Sequence, residues 1–369
     1  MTMKATAPQV AVIGSGPAGV AAACTLRRLG HRVTLFGESR SAALEGLSDR
    51  TLMRLRAAGL WSAVACVRGP GERAGIWGGA ETATTREYLV DRAAFDAALV
   101  KDAVAAGVEH RAEAVSSLET SDEGWRVVTR SGVTGCSAVI DARGRHARGA
   151  PLRGPRLVSL SQRFGSVPSG AMRTAIHAIP QGWCWLADDG RGMRWAQVVT
   201  APSVVQASTD VAARIITSLE AIPEGKSFLD GAVPAGSPLV RAAVAKMSLP
   251  ATARGMLRVG DASIAMDPLS GHGMHEALVS ARAGAAAMHA YLDGQDWAGV
   301  GEVMNGRSRV AWERMTQSAA DFYGRQAAHA PTLFWTQAAS VYESLATAAR
   351  FGRQGAPREK LPLPMALGG

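Results

Sequence analysis

Val10–Gly19 reads V-A-V-I-G-S-G-P-A-G and runs directly into the alanine-rich segment Val20–Leu29. Apolar residues followed by Gly14, Gly16 and Gly19 predict a buried strand that turns sharply into a helix, leaving backbone N–H groups at the helix start open to an anion. The three glycines have separate tasks. Gly14 permits the turn, Gly16 lets the backbone approach a phosphate, and Gly19 lets the helix lie close on the strand. A strand at Gln9–Ile13, a helix at Pro17–Leu29 and a second strand at Arg32–Phe36 make one βαβ portion, the setting in which this glycine pattern binds a dinucleotide pyrophosphate. Gly14, Gly16, Pro17, Ala18 and Gly19 are the expected phosphate-binding set. The acid that would hold the ribose is Glu38. It stands one place beyond the usual strand end, so it faces the ribose only if Gly37 forms a bulge.

The chain has 369 residues, 47% of them hydrophobic, enough for a large core and two lobes. Its formal net charge of +9 comes from arginine, because Lys4, Lys101, Lys226, Lys246 and Lys360 are the only lysines. That balance reads either as arginine serving ordinary surface duty or as a basic face for an anionic ligand or an acidic protein. No basic run interleaved with aromatics appears, which argues against nucleic-acid binding. Cys24, Cys66, Cys136 and Cys184 form no C-x-x-C pair, so neither a zinc site nor a dithiol motif is expected, and the cysteines read as packing in a reducing compartment. No apolar stretch resembles a signal peptide or a membrane span, which sets the expectation of a cytoplasmic protein without membrane attachment.

Further along, Ser48 is placed to cap a helix over Asp49–Ala58, with Arg50 in its first turn, where it is either solvated or paired with cofactor phosphate. Residues Arg68–Gly79 are glycine-rich and read as an excursion. Tyr88–Val90 is a short strand, and Asp91 caps a helix over Arg92–Ala106 with Phe95, Leu99 and Val100 buried. Three β-runs follow, at His110–Leu118, Trp125–Arg130 and Ala138–Asp141. From Leu157 to Thr200 the texture is β, in four runs: Leu157–Phe164, Ala171–Ala178, Trp183–Leu186 and Arg194–Thr200. A helix over Asp210–Ala221 belongs to that second lobe, and Ser237–Leu239 begins the return to the first. Met256–Val259 is the returning strand, followed by a small-residue helix over Met274–Leu292. Trp297–Phe351 is helical and broken by Pro331, with Trp312, Phe322, Tyr323, Phe334, Trp335 and Tyr342 as anchors.

A nucleotide fingerprint at the start and a second glycine/aspartate cluster far along the chain, both at ends of predicted strands, suit a long two-part cofactor, and FAD suits them better than NAD. Asp261 either accepts hydrogen bonds from cofactor hydroxyls or caps a short helix. The turn 267–273, with Pro268, Gly271, Gly273 and Met274, would offer the N–H groups of a helix start to the flavin's pyrimidine edge, where reduced flavin carries negative charge.

The set G-S-G-P-A-G (14–19), E-G-L-S-D-R (45–50), Y-L-V-D-R-A-A-F-D (88–96), D-A-R-G-R (141–145), V-G-D-A-S (259–263) and D-P-L-S-G-H-G (267–273) resembles, in order and content, the p-hydroxybenzoate-hydroxylase-like FAD superfamily. Within it the chain is most similar to the branch of flavin-dependent tryptophan halogenases and LodB/GoxB-type flavoproteins that mature cysteine-tryptophylquinone enzymes. Trp183-Cys184-Trp185 resembles the W-x-W motif of the halogenases. The resemblance implies an α/β fold with a Rossmann-like FAD-binding domain of the GR2 type, a second β-sheet substrate domain and C-terminal helices. The corresponding division is 1–66, 87–156 and 250–296 for FAD, 67–86 and 157–249 for substrate, and 297–369 for the helical segment. Arg92 joins Arg50 and Glu38 in the implied cofactor set. The halogenases guide hypohalous acid with a lysine in the region matching about residues 65–90. This chain has no lysine between Lys4 and Lys101 and is shorter, which argues against halogenation.

What remains is activation of molecular oxygen by reduced flavin and its transfer to an electron-rich ring held near the flavin in a dry pocket. Trp183 and Trp185 share one strand face and either wall that pocket or are ordinary sheet packing. His272 is either a proton carrier at the site or a loop histidine bound to backbone. No second nucleotide fingerprint identifies an external electron donor. The first functional expectation is an FAD-dependent monooxygenase hydroxylating a tryptophan in the precursor of a quinone-cofactor oxidase or dehydrogenase. The alternatives are a hydroxylase of a small aromatic metabolite and a non-catalytic flavoprotein maturation chaperone.

Overall fold

Strand β1, Gln9–Ile13, lies at the centre of a six-stranded sheet because its apolar run is covered on both faces. Helix α1, Pro17–Arg28, carries the chain to β2, Arg32–Phe36, which pairs with β1 in parallel with Val10 opposite Val33. The sheet order is Ala251–Ala253, Met256–Arg258, Ala138–Asp141, β1, β2 and Glu109–Arg111, parallel throughout except for the Ala251–Ala253 edge. The computed structural model describes residues 9–38, 43–147, 149, 152–206 and 210–354, so 355–369 of the expected helical segment lie outside the described residues.

One face of this sheet, with Val10, Val12 and Ile140, packs against α1, the helix Arg92–Ala105 and the helix Gly273–Leu292. The other face, with Ala11, Ile13 and Val139, receives Trp125, Val127 and Cys136 of a three-stranded antiparallel meander, Val115–Ser121, Gly124–Thr129 and Gly132–Cys136. The predicted run His110–Leu118 is therefore two elements in two sheets. Its first part ends with Glu109–Arg111, and the rest starts the meander at Val115. The strand Gly132–Cys136 had no strong signal, since glycine at both Gly132 and Gly135 lowers strand propensity.

The second sheet has nine strands. Its path runs from Val233–Ala242 through Val158–Gly165, Met193–Thr200, Gly182–Asp188, Arg173–Ile179, Arg68–Trp77 and Thr85–Asp91 to Leu44–Leu47, with Ala80–Glu81 pairing beside Arg68–Trp77. One expectation is made specific here and one is corrected. The excursion at Arg68–Trp77 is a strand despite its glycines, because it pairs in parallel with Arg173–Ile179 and antiparallel with Thr85–Asp91. Ser237–Leu239, read as the return to the first lobe, lies inside the largely exposed edge strand Val233–Ala242.

Alternation sorts the side chains of this sheet. Ile176, Trp183, Trp185, Trp195 and Val199 face the two C-terminal helices, Trp297–His329 and Leu333–Gln354. Cys184, Leu186, Ala196 and Val198 face the helices Val211–Glu220 and Pro223–Leu229. The break between the C-terminal helices falls around Pro331, which can neither donate a helical hydrogen bond nor clear the preceding carbonyl. Trp312, Tyr323, Trp335 and Tyr342 are buried anchors as expected. Phe322 is not: it is 40% exposed and lies edge-on to Trp77 with ring centres 6.2 Å apart. Burial pushes the thiols of Cys24 and Cys136 up to about 11 and that of Cys184 up to about 12, which makes them packing groups rather than nucleophiles. Among the described residues no helix is long and apolar enough to cross a membrane.

Candidate cofactor and active site

Three chain segments far apart in sequence meet at the carboxyl ends of the parallel strands. The Gly14 turn is fixed by its N–H donating to Phe36 O at 2.7 Å, and its φ of +113° belongs to glycine. A Cβ at Gly14 would sit 2.3 Å from Ala142 O, so the turn lies directly on the segment that follows Ala138–Asp141. Gly260, at φ +59°, comes so close to α1 that a Cβ there would be 2.7 Å from the Ala18 Cβ. The opening glycine turn and the distant V-G-D-A-S motif are thus in contact.

Asp261 stands in the short 3-10 turn Gly260–Ala262, half-exposed, and Arg145 Nε lies 3.3 Å from its Oδ2. It does not cap that turn, whose capping residue is Val259. Arg145 is anchored by donating to Val244 O and Met266 O, and Lys246 Nζ donates to Arg145 O at 2.7 Å. Asp141, fully buried, holds Arg143 through Nε and Nη2 at 2.9 and 2.8 Å.

Two helix starts open beside these strand ends. Gly16 caps α1 without a side-chain hydrogen bond, with Pro17 at the first turn. His272 precedes Gly273–Leu292, again without a side-chain cap. Each leaves N–H groups and the positive end of a helix dipole for an external acceptor. The second start is set by Asp267, whose Oδ1 accepts from Leu269 N at 2.8 Å, and by Gly271 at φ 62°. Gly271 and His272 are exposed, while Gly273 and Met274 are half-buried. Desolvation and the charges of Arg50 and Arg73 hold the His272 imidazole below its ordinary value.

Other expected site residues fall as follows. Ser48 caps the helix Asp49–Ala57 as read from the sequence, accepting from Thr51 N at 3.3 Å, and exposed Arg50 in its first turn comes near His272 and His275. Glu38 is exposed, and its carbonyl accepts from Ser15 Oγ at 3.4 Å. Arg92 is committed elsewhere: its buried guanidinium binds Glu45 at 2.8 Å and Asp96 at 2.9 Å, tying the strand Leu44–Leu47 to the helix Arg92–Ala105. Trp183 and Trp185 do share a face, but each indole already has a partner. Trp183 Nε1 donates to Tyr323 Oη at 3.2 Å, and Trp185 Nε1 donates to Glu87 Oε2 at 3.1 Å.

Sequence reading missed the polar residues behind those tryptophans. Asp267 is fully buried beside the tyrosines of the C-terminal helices. Tyr323 Oη donates to it at 3.2 Å and Tyr342 Oη donates to the same carboxylate. Burial raises the Asp267 carboxyl, against the pull of Tyr342, the Leu269 N–H and Tyr323. The network joins the loop before His272 to both C-terminal helices. Asp267 lay inside a recognised motif, but its tyrosine partners are visible only in three dimensions.

The parallel sheet order and the uncapped start of α1 are those of a Rossmann-like nucleotide-binding domain, and with the comparisons that follow the class is an FAD-dependent oxidoreductase. Residues 8–56 match the family profile described as pyridine nucleotide-disulphide oxidoreductase. Comparison with curated protein sequences gives no match. Among solved structures, one described as the peptidyl tryptophan dihydroxylase QhpG, essential for tryptophylquinone cofactor biogenesis, is 30% identical, covering 91% of this chain and 79% of that chain at a TM-score of 0.81. The flavin-dependent halogenase CmlS is 22% identical over 94% of this chain and 70% of its own, at a TM-score of 0.81. A 2-methyl-3-hydroxypyridine-5-carboxylic acid oxygenase is 18% identical over 91% of this chain and 96% of its own, at 0.66. The last two likenesses are of fold. The chain belongs to the p-hydroxybenzoate-hydroxylase-like FAD superfamily, in the QhpG-like branch, and FAD is its cofactor.

Proposed function

We propose that this chain is an FAD-dependent monooxygenase that hydroxylates a tryptophan residue of a precursor protein during formation of a tryptophylquinone cofactor. The observation that carries the reading is the 30% identity to a peptidyl tryptophan dihydroxylase across nearly the whole chain. When bound and reduced, FAD supplies the activation of molecular oxygen.

The residues of this chain supply the rest. The uncapped start of α1 and the glycines at 14, 16 and 19, with Pro17 and Ala18, receive the pyrophosphate. Asp261, steadied by Arg145, accepts from cofactor hydroxyls. Pro268, Gly271, Gly273 and Met274 shape the second helix start, whose N–H groups would hold the flavin and favour negative charge on it. Glu38, two residues past the end of β2, would be the ribose acid, and Arg50 adds positive charge. His272, whose imidazole desolvation and the charges of Arg50 and Arg73 hold below its ordinary value, accepts a proton at the substrate ring. Trp183 and Trp185, fixed through their N–H groups, contribute a rigid apolar wall that excludes water from the reacting ring.

Co-expression with a candidate precursor, followed by mass analysis of its tryptophan peptide, tests the reading. A gain of one or two oxygen atoms that requires both this chain and its His272 supports it. Unmodified precursor together with oxygenation of free aromatic compounds would move the activity to small metabolites. Full maturation by a chain emptied of flavin would make it a chaperone.

A further inference from the structure

Glu87 is a buried acid that the proposed chemistry leaves without a task. It stands on the strand Thr85–Asp91 and points into the inner face of the nine-stranded sheet, with 8% of its side chain exposed. Both carboxylate oxygens are directed. Oε2 accepts from Trp185 Nε1 at 3.1 Å, and Oε1 lies 3.5 Å from Arg73 Nη1. Room for the carboxylate depends on Gly46 of the neighbouring strand, where a Cβ would come within 2.3 Å of Oε1. Arg73, on Arg68–Trp77, carries the line onward: its Nη1 is 3.6 Å from where a Cβ of Gly271 would stand. An unbroken path therefore runs from Trp185 through Glu87 and Arg73 to the turn that starts the second helix.

A carboxylate this buried persists only where a cation or strong donors compensate it, and a guanidinium so placed has its orientation chosen for it. We propose that Arg73 and Glu87 form a charged dyad belonging to the oxygen-transfer site. In it Glu87 is a positioning residue that fixes the Trp185 indole and the Arg73 guanidinium together, and Arg73 presents its charge to the Gly271–His272 turn. The proposal rests on the flavin reading for its purpose, which is to keep a cation and a rigid indole in register at the reactive edge. The dyad itself rests on geometry. The charged or titratable groups around His272 are Arg50 of the helix Asp49–Ala57, Arg73 of the dyad, and His275 one turn along its own helix.

The test follows His272 and Trp185 by NMR in the full chain as purified, with and without added FAD, and in Arg73→Met, Arg73→Lys, Glu87→Gln and the Arg73→Met/Glu87→Gln double variant. Arg73→Met is expected to shift the His272 titration midpoint upward, and Arg73→Lys to restore it in large part. Glu87→Gln keeps an acceptor for Trp185 but frees the guanidinium from its anion, so the midpoint changes there too, and the change disappears when Arg73 is already methionine. The Trp185 indole N–H resonance moves in Glu87→Gln and stays in place in Arg73→Met. A His272 midpoint indifferent to Arg73, a midpoint unchanged in Glu87→Gln, or a Glu87→Gln effect undiminished in the double variant would overturn the dyad. Failure of the wild-type chain to bind FAD would count against the functional reading while leaving these outcomes standing. Unfolding midpoints of each variant establish that the comparison is between folded chains.

Discussion

His272 shows how much a single position depends on its surroundings. Its folded-state pKa is lowered by desolvation and by Arg50 and Arg73, so the fold prefers neutral imidazole, and protonation is delayed until below the ordinary 6.5. If His272 accepts a proton in turnover, activity holds as pH falls to 6.5 and declines only below it. The pH–rate profile of His272→Gln lacks that acid limb and is slower by about 100-fold or more, the usual scale of general-base catalysis. An unchanged acid limb in the variant would assign it to another group. The glycine turns were legible because each sits in a short motif whose spacing has a backbone cause. Glu87 and Arg73 were not, since nothing local distinguishes a buried glutamate on Thr85–Asp91 from the exposed residues before it. The ion pairs of Arg92 were hidden for the same reason: its partner Glu45 belongs to a strand whose neighbours are set by the second sheet.

Among elements, two junctions carry the assembly. Tyr323 and Tyr342 bring the C-terminal helices to the buried Asp267 carboxylate. Tyr342→Phe leaves that carboxylate short of a donor and is expected to cost about 1–3 kcal/mol in urea unfolding. Loss of FAD affinity should accompany it, because Asp267 sets the turn before His272. The second junction is His31 with His289, where Nε2 and Nδ1 are 3.0 Å apart and share one proton between the start of β2 and the end of Gly273–Leu292. Burial and the neighbouring His289 lower the His31 pKa, so the stability it contributes is complete above 6.5 and is lost as pH falls from there through the folded value. Urea midpoints taken from about pH 7.5 down to about pH 5.5 should fall less in His31→Gln than in the wild type. Equal falls would place the acid sensitivity elsewhere. Capped helices at Ser48 and Asp91, and the split at Pro331, were readable because their signals are local. The strand Arg68–Trp77 was not: R-G-P-G-E-R-A-G-I-W has poor strand propensity, and its pairing with Arg173–Ile179 decides its state.

For the whole molecule, the proposed placement of the cofactor ties the architecture together: a long cofactor would touch the first strand–helix turn and a motif that the chain reaches only after building the second sheet, two segments the fold brings into contact. The ordering of motifs along the sequence made that arrangement legible. The shape of the second sheet, which takes Leu44–Leu47 and Thr85–Asp91 from the early part of the chain, was not, since strand exchange between sheets leaves no periodic trace. Loading with FAD should therefore stabilise both sheets together, as a single unfolding transition whose midpoint rises with FAD concentration. Two transitions with only one responding would mean that the cofactor belongs to one lobe alone.

The most direct measurement is an FAD titration of the wild-type chain beside Gly14→Ala and Gly260→Val, read by quenching of flavin fluorescence. Both substitutions force a side chain onto a positive-φ backbone and into contact, with Ala142 O in one case and Ala18 in the other, on segments far apart in sequence. One FAD per wild-type chain, with affinity weakened by about 100-fold or more (~2.7 kcal/mol) in each folded variant, is the predicted result. Undiminished binding in either variant, or a wild-type chain that takes up no FAD, would contradict a single cofactor stretched between the two motifs.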